Sequence, residues 1–283
     1  MTVTNVASLP DFKLIPYSTA SPDTDTEILR TSSWTYCGPL LPVPPADHAS
    51  DNPNTNNLSL PPSYEAWEHA TFHGSITPLL LPFLRFAHAF LAEAGLTHYW
   101  LTIRASLPTA DYDLPRWHTD DDFFARDSDS DSDTSPADVT DTGRTQWKLA
   151  TTLLGPGTLF LADSATGRAT QAAVKSHIRD STPPHPCTTV ACPGCAATAD
   201  TVRRQLATSL QDASVTQTGA GECAFFKVGK DVGAVHSEPS MREQRVFVNV
   251  VPGREAELRG VMRRWGMEFP RAWSLPPEGM HVR

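Results

Sequence analysis

Hydrophobic positions along this chain change period near residue 97. Upstream, the stretch YEAWEHATFHGSITPLLLPFLRFAHAFLAEAGL spaces its apolar residues three and four apart, as on one face of a helix. Pro78 and Pro82 interrupt it, because proline lacks the N–H of a helical hydrogen bond and its ring crowds the preceding turn. The spacing predicts two helices over 64–95, the second from about Pro82 to Ala94 and stopped by Gly95. From residue 97 the period is two. THYWLTIRAS, LPRWHTD, TQWKLATTLL and GTLFLA, then GECAFFKVG, GAVHSEP and QRVFVNVVPG, are short, rich in β-branched and aromatic residues, and bounded by turn signals. They read as about seven strands. REAELRGVMRRWG returns to helical spacing and predicts an amphipathic helix over 253–265.

The segments between these runs divide the chain. Residues 38–63 are dense in Pro, Asn and Ser without apolar periodicity, so 1–63 reads as an N-terminal extension and connector, and 64–283 as a single domain with its β-core over 97–252. An Asp/Ser tract over 125–145 has too little apolar surface to offset the entropy of ordering it and is expected to be a mobile acidic loop. A second insertion, 163–219, contains the helical piece DTVRRQLATSLQDA. Helices followed by many short strands predict an α+β protein on an antiparallel barrel-like or double-sheet core. GPGT at 155–158 lies between strands and reads as a hairpin turn, not a phosphate loop.

Composition narrows the function classes. With 283 residues, 40% of them hydrophobic, the chain can bury a sizeable core. Its net charge of −9 and pI near 5.5, with no Lys/Arg stripe interleaved with aromatics, argue against nucleic acid as a partner. No apolar run approaches the roughly 20 residues that cross a bilayer. The start, MTVTNVASLPDFKL, has neither a basic n-region nor an apolar h-region, so no membrane partner and a cytoplasmic location are expected. Five cysteines, two of them far from the rest, do not form a disulfide framework and fit a reducing compartment.

The segment PRWHTDDDFF holds the first candidate chemistry. In a strand, residues i and i+2 point to one face about 7 Å apart, so His118 and Asp120 could converge on one ion while Thr119 points away. A solvated turn is the alternative. A second histidine, His236, ends an apolar strand, and a turn at SEPSMRE leads to a strand that opens with Arg245. Antiparallel neighbours lie about 4.8 Å apart, so Arg245 can return beside the histidine and hold a ligand carboxylate bidentately. Two histidines and one carboxylate leave three positions open on a six-coordinate ion, the facial arrangement of non-haem Fe(II) oxygenases.

Here the chain resembles the Fe(II)/2-oxoglutarate-dependent oxygenases, with their HxD...H triad and an arginine about ten residues after the second histidine. RWHTD, WKLATTLLGPGT and AVHSEPS, with Arg245 following, are similar to a family carrying RFHxD, TYxGPGT and HRSP segments. They are also similar to fungal secondary-metabolism oxygenases that act on amino acids, including the aziridine-forming type. The resemblance covers about 97–252. It implies a double-stranded β-helix, a cupin-like jelly roll, flanked by N-terminal and C-terminal helices. It further implies His118, Asp120 and His236 as ligands of Fe(II), Arg245 as the anchor of 2-oxoglutarate, and a small-molecule substrate oxidised with dioxygen by hydroxylation, desaturation or oxidative cyclisation. One departure stands out: the usual Arg-x-Ser or Arg-x-Thr is Arg245-Val246-Phe247 here, which removes a hydroxyl that often assists the arginine. Arg242 is an alternative clamp.

Trp117, Phe123, Phe124 and Phe247 are candidates to line the pocket, or are simply core. Arg104 and Lys148 are candidates to bind a substrate carboxylate, or are surface charges. HPCTTVACPGC offers His185, Cys187, Cys192 and Cys195 for a structural zinc, with free or redox-linked thiols as the alternative. The acidic tract lacks the Gly and terminal Glu of an EF-hand and could serve as a lid. No G-x-S-x-G elbow supports a serine hydrolase. Two rivals stay open: an iron oxidase that does not use 2-oxoglutarate, and a non-catalytic cupin-like binding module.

Overall fold

A computed structural model describes residues 8–18, 25–43, 60–124, 145–183, 187 and 192–275. The acidic tract, most of the Pro/Asn-rich connector and His185 lie outside the described residues. The elements run β1 (Phe12–Pro16), β2 (Glu27–Ile28), β3 (Ser32–Pro39), α1 (Pro62–Thr71), β4 (Phe72–His73), α2 (Thr77–Glu93), β5 (His98–Ser106), β6 (Trp147–Leu154) and β7 (Leu159–Leu161). They continue with α3 (Ser164–Ser181), α4 (Pro193–Ser209), β8 (Val215–Gln217), β9 (Glu222–Lys227), β10 (His236–Ser237), β11 (Arg245–Gly253), α5 (Glu255–Arg264) and β12 (Arg271–Leu275). The protein is α+β, with a seven-stranded antiparallel sheet of order β1-β9-β6-β11-β5-β3-β12, a three-stranded sheet β10-β7-β8 and a short β2-β4 pair.

Alternation along the strands divides the large sheet into two faces. On β5, Tyr99, Leu101, Ile103 and Ala105 are fully buried and join α1 and α2 in the main core, as do Val246, Val248 and Val250 of β11. Their alternates, Thr102, Arg104, Phe247 and Asn249, are half-buried on the opposite face. That face packs on the small sheet through Phe160, Ala150, Ala224 and Phe226, and α5 covers its other end through Leu258, Val261 and Met262. The α3–α4 hairpin lies behind the small sheet, packing Val174, Ile178 and Leu206 on Leu161 and Val235. Truncating a member of the main core such as Leu101 to alanine is expected to cost about 2–5 kcal/mol.

Several expectations are corrected by this arrangement. The N-terminal segment is no mere extension, since β1 pairs with β9 and β3 sits between β5 and β12. Trp34 of β3 is fully buried, and both faces of that strand are covered, so its sequence shows no clean alternation. Second, α2 runs through Pro82 instead of starting there. The missing hydrogen bond and ring clash cost about 3 kcal/mol. Burial of Leu80, Phe83, Leu84, Phe90 and Leu91 on one face contributes about 1.5–3 kcal/mol each and outweighs it. Third, the insertion holds two helices: α3, capped by Asp163 accepting from the Thr166 N–H, precedes the expected one. β12 was not expected either, and LPRWHTD makes only an isolated bridge, at His118.

Candidate metal centre

Backbone pairing brings the two histidines together. His118 and His236 form an antiparallel bridge in which each N–H donates to the other's carbonyl at 2.9 Å. This is the hydrogen-bonded pair of an antiparallel ladder, which sets both side chains on one face. The ring centroids are 4.3 Å apart. Phe160, the partner of His236 on β7, and Phe226 from the large sheet pack against the His236 ring at 5.7 and 5.0 Å. Asp120 follows His118 by two residues, and its carbonyl accepts from the Gly229 N–H at 2.8 Å.

Each imidazole is turned by its own backbone. Nδ1 of His118 lies 2.7 Å from the Arg116 carbonyl and Nδ1 of His236 lies 3.0 Å from the Ala234 carbonyl. A carbonyl only accepts, so both Nδ1 atoms carry the proton and both Nε2 lone pairs are free. Those Nε2 atoms face one carboxylate, at 3.9 Å from Asp120 Oδ1 for His118 and 3.6 Å from Oδ2 for His236. One ligand atom from each residue lies within 4.8 Å of the others. Atoms about 2.1 Å from a shared ion stand roughly 3.0–3.5 Å apart, so a small closure of the side chains would complete the contact. The donor set and the pinned Nδ1 atoms fit a divalent transition metal.

Electrostatics keeps the three groups ready to ligate. Burial pushes the Asp120 carboxyl up, but the Lys148 ammonium, 2.9 Å from Oδ2, outweighs it and holds the group well below the usual carboxylate range. Burial, with the neighbouring His118, lowers His236 to about 4, so this ring is neutral at physiological pH. Side-chain exposure falls from 39% at His118 through 19% at Asp120 to 10% at His236, so the site opens to solvent beside His118.

The other sequence candidates separate. Arg245 is 4% exposed, and its Nε donates to the Pro156 carbonyl at 2.9 Å. Its Nη2 donates to the Thr158 and Thr152 hydroxyls at 3.0 and 3.4 Å. GPGT therefore does more than turn the chain. It cradles the arginine, and two threonines on neighbouring segments supply hydroxyls where Arg-x-Ser would. A Cβ at Gly155 would overlap the Gln244 carbonyl and one at Gly157 that of Thr218, so only glycine lets this turn lie against β11. Burial lowers the guanidinium to about 10, still charged at neutral pH. Arg242 is 79% exposed and paired with Asp113, so it is not the clamp.

Phe247 lies under the Arg245 guanidinium at 4.6 Å, and Phe123 under the Lys148 ammonium at 4.7 Å. Lys148 is committed to Asp120 instead of standing free for a substrate. Trp117, a candidate for the pocket or for the core, is core: it is buried beneath α3 and α4, because neighbours in an extended segment point to opposite faces. Phe124 likewise packs toward α5. Arg104 is half-buried beside Phe247 on the face opposite the helices.

Glu238 was missed in the sequence. It is half-buried, and although burial pushes its carboxyl up, the polar surroundings of the two histidines, its own backbone N–H and the Arg104 guanidinium hold it low. Arg245 feels it in turn. The i, i+2 rule that paired His118 with Asp120 pairs His236 with Glu238. Cys187, Cys192 and Cys195 gather into a separate cluster. No match to the chain is found among family models, curated proteins or solved structures.

Proposed function

We propose that the chain is a non-haem Fe(II)- and 2-oxoglutarate-dependent oxygenase that oxidises a small molecule, an amino acid or a secondary metabolite, by hydroxylation, desaturation or oxidative cyclisation. The observation that carries this reading is the convergence of two Nδ1-pinned imidazoles and one ionised carboxylate on a solvent-reachable point. Three ligands on one side leave three positions for cosubstrate and dioxygen. Segments of the large and small sheets alternate along the chain as β5, the His118 bridge, β6, β7 and β8, β9, β10, β11. That winding supports a double-stranded β-helix with the site between its two sheets.

Bound iron would supply C–H oxidation coupled to decarboxylation of the keto acid. His118, Asp120 and His236 would hold it, with the Arg116 and Ala234 carbonyls fixing ring orientation and Lys148 fixing the carboxylate. Arg245, turned and desolvated by the GPGT segment, would bind the distal carboxylate of 2-oxoglutarate. Phe247 and Phe123 would keep water from the two cations they underlie. Glu238 and Arg104, close enough to feel each other's charge, would orient a polar substrate.

Glu238 also favours a second reading. It already places a carboxylate in the field of Arg245, so an iron oxidase working without the keto acid would have its arginine neutralised internally. Adding 2-oxoglutarate to the anaerobic Fe(II) protein separates the two, since a weak visible charge-transfer band supports the first and its absence the second. Substrate-linked succinate formation is expected to vanish in His118→Ala and in His236→Ala. Unchanged turnover in both variants would rule out an iron enzyme of either kind.

A further inference from the structure

We infer that Cys187, Cys192 and Cys195 form a second metal site, a thiolate clip for zinc that fastens the first half of α4 to the chain leading into it. The three sulfurs lie within 4.8 Å of one another, and those of Cys187 and Cys195 are 3.5 Å apart. Sulfurs about 2.3 Å from a tetrahedral zinc stand roughly 3.8 Å from each other, whereas a disulfide needs about 2.05 Å. The spacing observed is that of ligands to a shared ion.

Local structure prepares the thiolates. Cys192 is the N-cap of α4 and Pro193 opens the helix, leaving the first amides without intrahelical partners. The Cys192 sulfur sits at this helix start, where unpaired amides and the helix dipole favour a thiolate. Three sulfurs this close repel one another once ionised, and a dication would reverse that repulsion. All-thiolate ligation selects a soft or borderline ion, in contrast to the nitrogen and oxygen donors of the first site.

The fold supplies the need. Leu206 is the only buried residue of the 17 in α4, and none lies in 193–205. Val202 packs half-buried on the same cluster as Leu206, but the nine helical residues before it bring no apolar side chain to the core, and a helical stretch that short is marginal in water without another tie. A clip at Cys192 and Cys195, linked back to Cys187, supplies one. It would act on the first site only from behind, because the α3–α4 hairpin packs on Trp117 and Val235, the chain neighbours of His118 and His236.

The test uses the full chain, purified under reducing conditions, stripped with a chelator, reloaded with Zn(II) or Co(II) and desalted. The His118→Ala/His236→Ala variant is expected to keep one equivalent of zinc. The Cys187→Ser/Cys192→Ser/Cys195→Ser variant is expected to lose that equivalent, and with it the near-ultraviolet thiolate-to-cobalt absorption that only the cysteines can produce. Alkylation of the unmutated protein guards against misfolding of the serine variant, because zinc should protect the three thiols and a chelator should expose them. Zinc retained equally by the serine variant would overturn the inference. So would thiols that react at the same rate with and without zinc, or a Cys187–Cys195 disulfide in zinc-free protein kept reduced.

Discussion

The histidine–aspartate cluster and the cysteine cluster are held by different parts of the fold. Around His118, Asp120 and His236, reciprocal backbone hydrogen bonds, two carbonyl-pinned rings and two packed phenylalanines define the geometry before any ion arrives. Around Cys187, Cys192 and Cys195, a helix that brings no apolar side chain to the core before the half-buried Val202 meets a connector, and the ion itself would supply the order. The contrast follows donor chemistry. A site that must keep positions open for reactants gains from a rigid frame, whereas a closed thiolate site contributes its binding energy to folding.

The largest expected effect that sharpens this contrast is at Arg245. Arg245→Lys replaces a planar fork by a point charge and should weaken 2-oxoglutarate by about 100-fold or more, the scale of losing a buried charged hydrogen bond, with Fe(II) affinity unchanged. Titration of the anaerobic charge-transfer band measures it, and equal keto-acid affinity in the variant would remove the arginine from the site. Next is Lys148→Met. Without its ammonium the Asp120 carboxyl rises, and iron affinity should fall about 10- to 100-fold, with its acid limb moved to higher pH. Competition with a chelator across pH reads both, and an unmoved limb would contradict the role given to Lys148.

A smaller effect concerns the metal-free protein. His236 titrates near 4 in the folded chain and near 6.5 when unfolded, so the unfolded state takes up a proton first as pH falls. The stability this group contributes is complete above 6.5 and declines by up to about 3 kcal/mol toward pH 4. Asp120, also depressed, loses its contribution only below 3.8, outside that window. Denaturation of chelator-treated protein should show this slope and His236→Gln should flatten it; identical slopes would show that burial of the ring is not the cause. The smallest effect is local. Zinc removal should speed amide exchange in the first half of α4 and leave β6 and β11 protected, and parallel loosening of both would erase the difference between the clusters.

Much of the site was legible because its determinants are short in sequence. The two-residue step from His118 to Asp120, the strand ending at His236 and the turn before Arg245 are local patterns whose geometry a strand dictates. Glu238 obeys the same rule and was overlooked only because the rule was applied to one histidine. The cradle that GPGT makes for Arg245 was not legible, since it joins residues 87 and 89 positions apart. The sequence left Trp117 between pocket and core because LPRWHTD shows which residues are apolar but not which face is covered by α3 and α4.

Taken alone, the chain's residue pattern determined the α+β class, the strand character of 97–106 and 245–253, the closing helix and the identity of the three candidate ligands. These depend on period, turn chemistry and donor type, all of which are properties of neighbouring residues. Only the tertiary structure decided that β1 and β3 complete the large sheet, that α2 tolerates Pro82, and that His118 and His236 exchange backbone hydrogen bonds. It also decided that Lys148 belongs to Asp120 and that three sulfurs share one corner of the α3–α4 hairpin. Each of these depends on which distant surfaces are buried together, and burial is set by the packing of the whole chain.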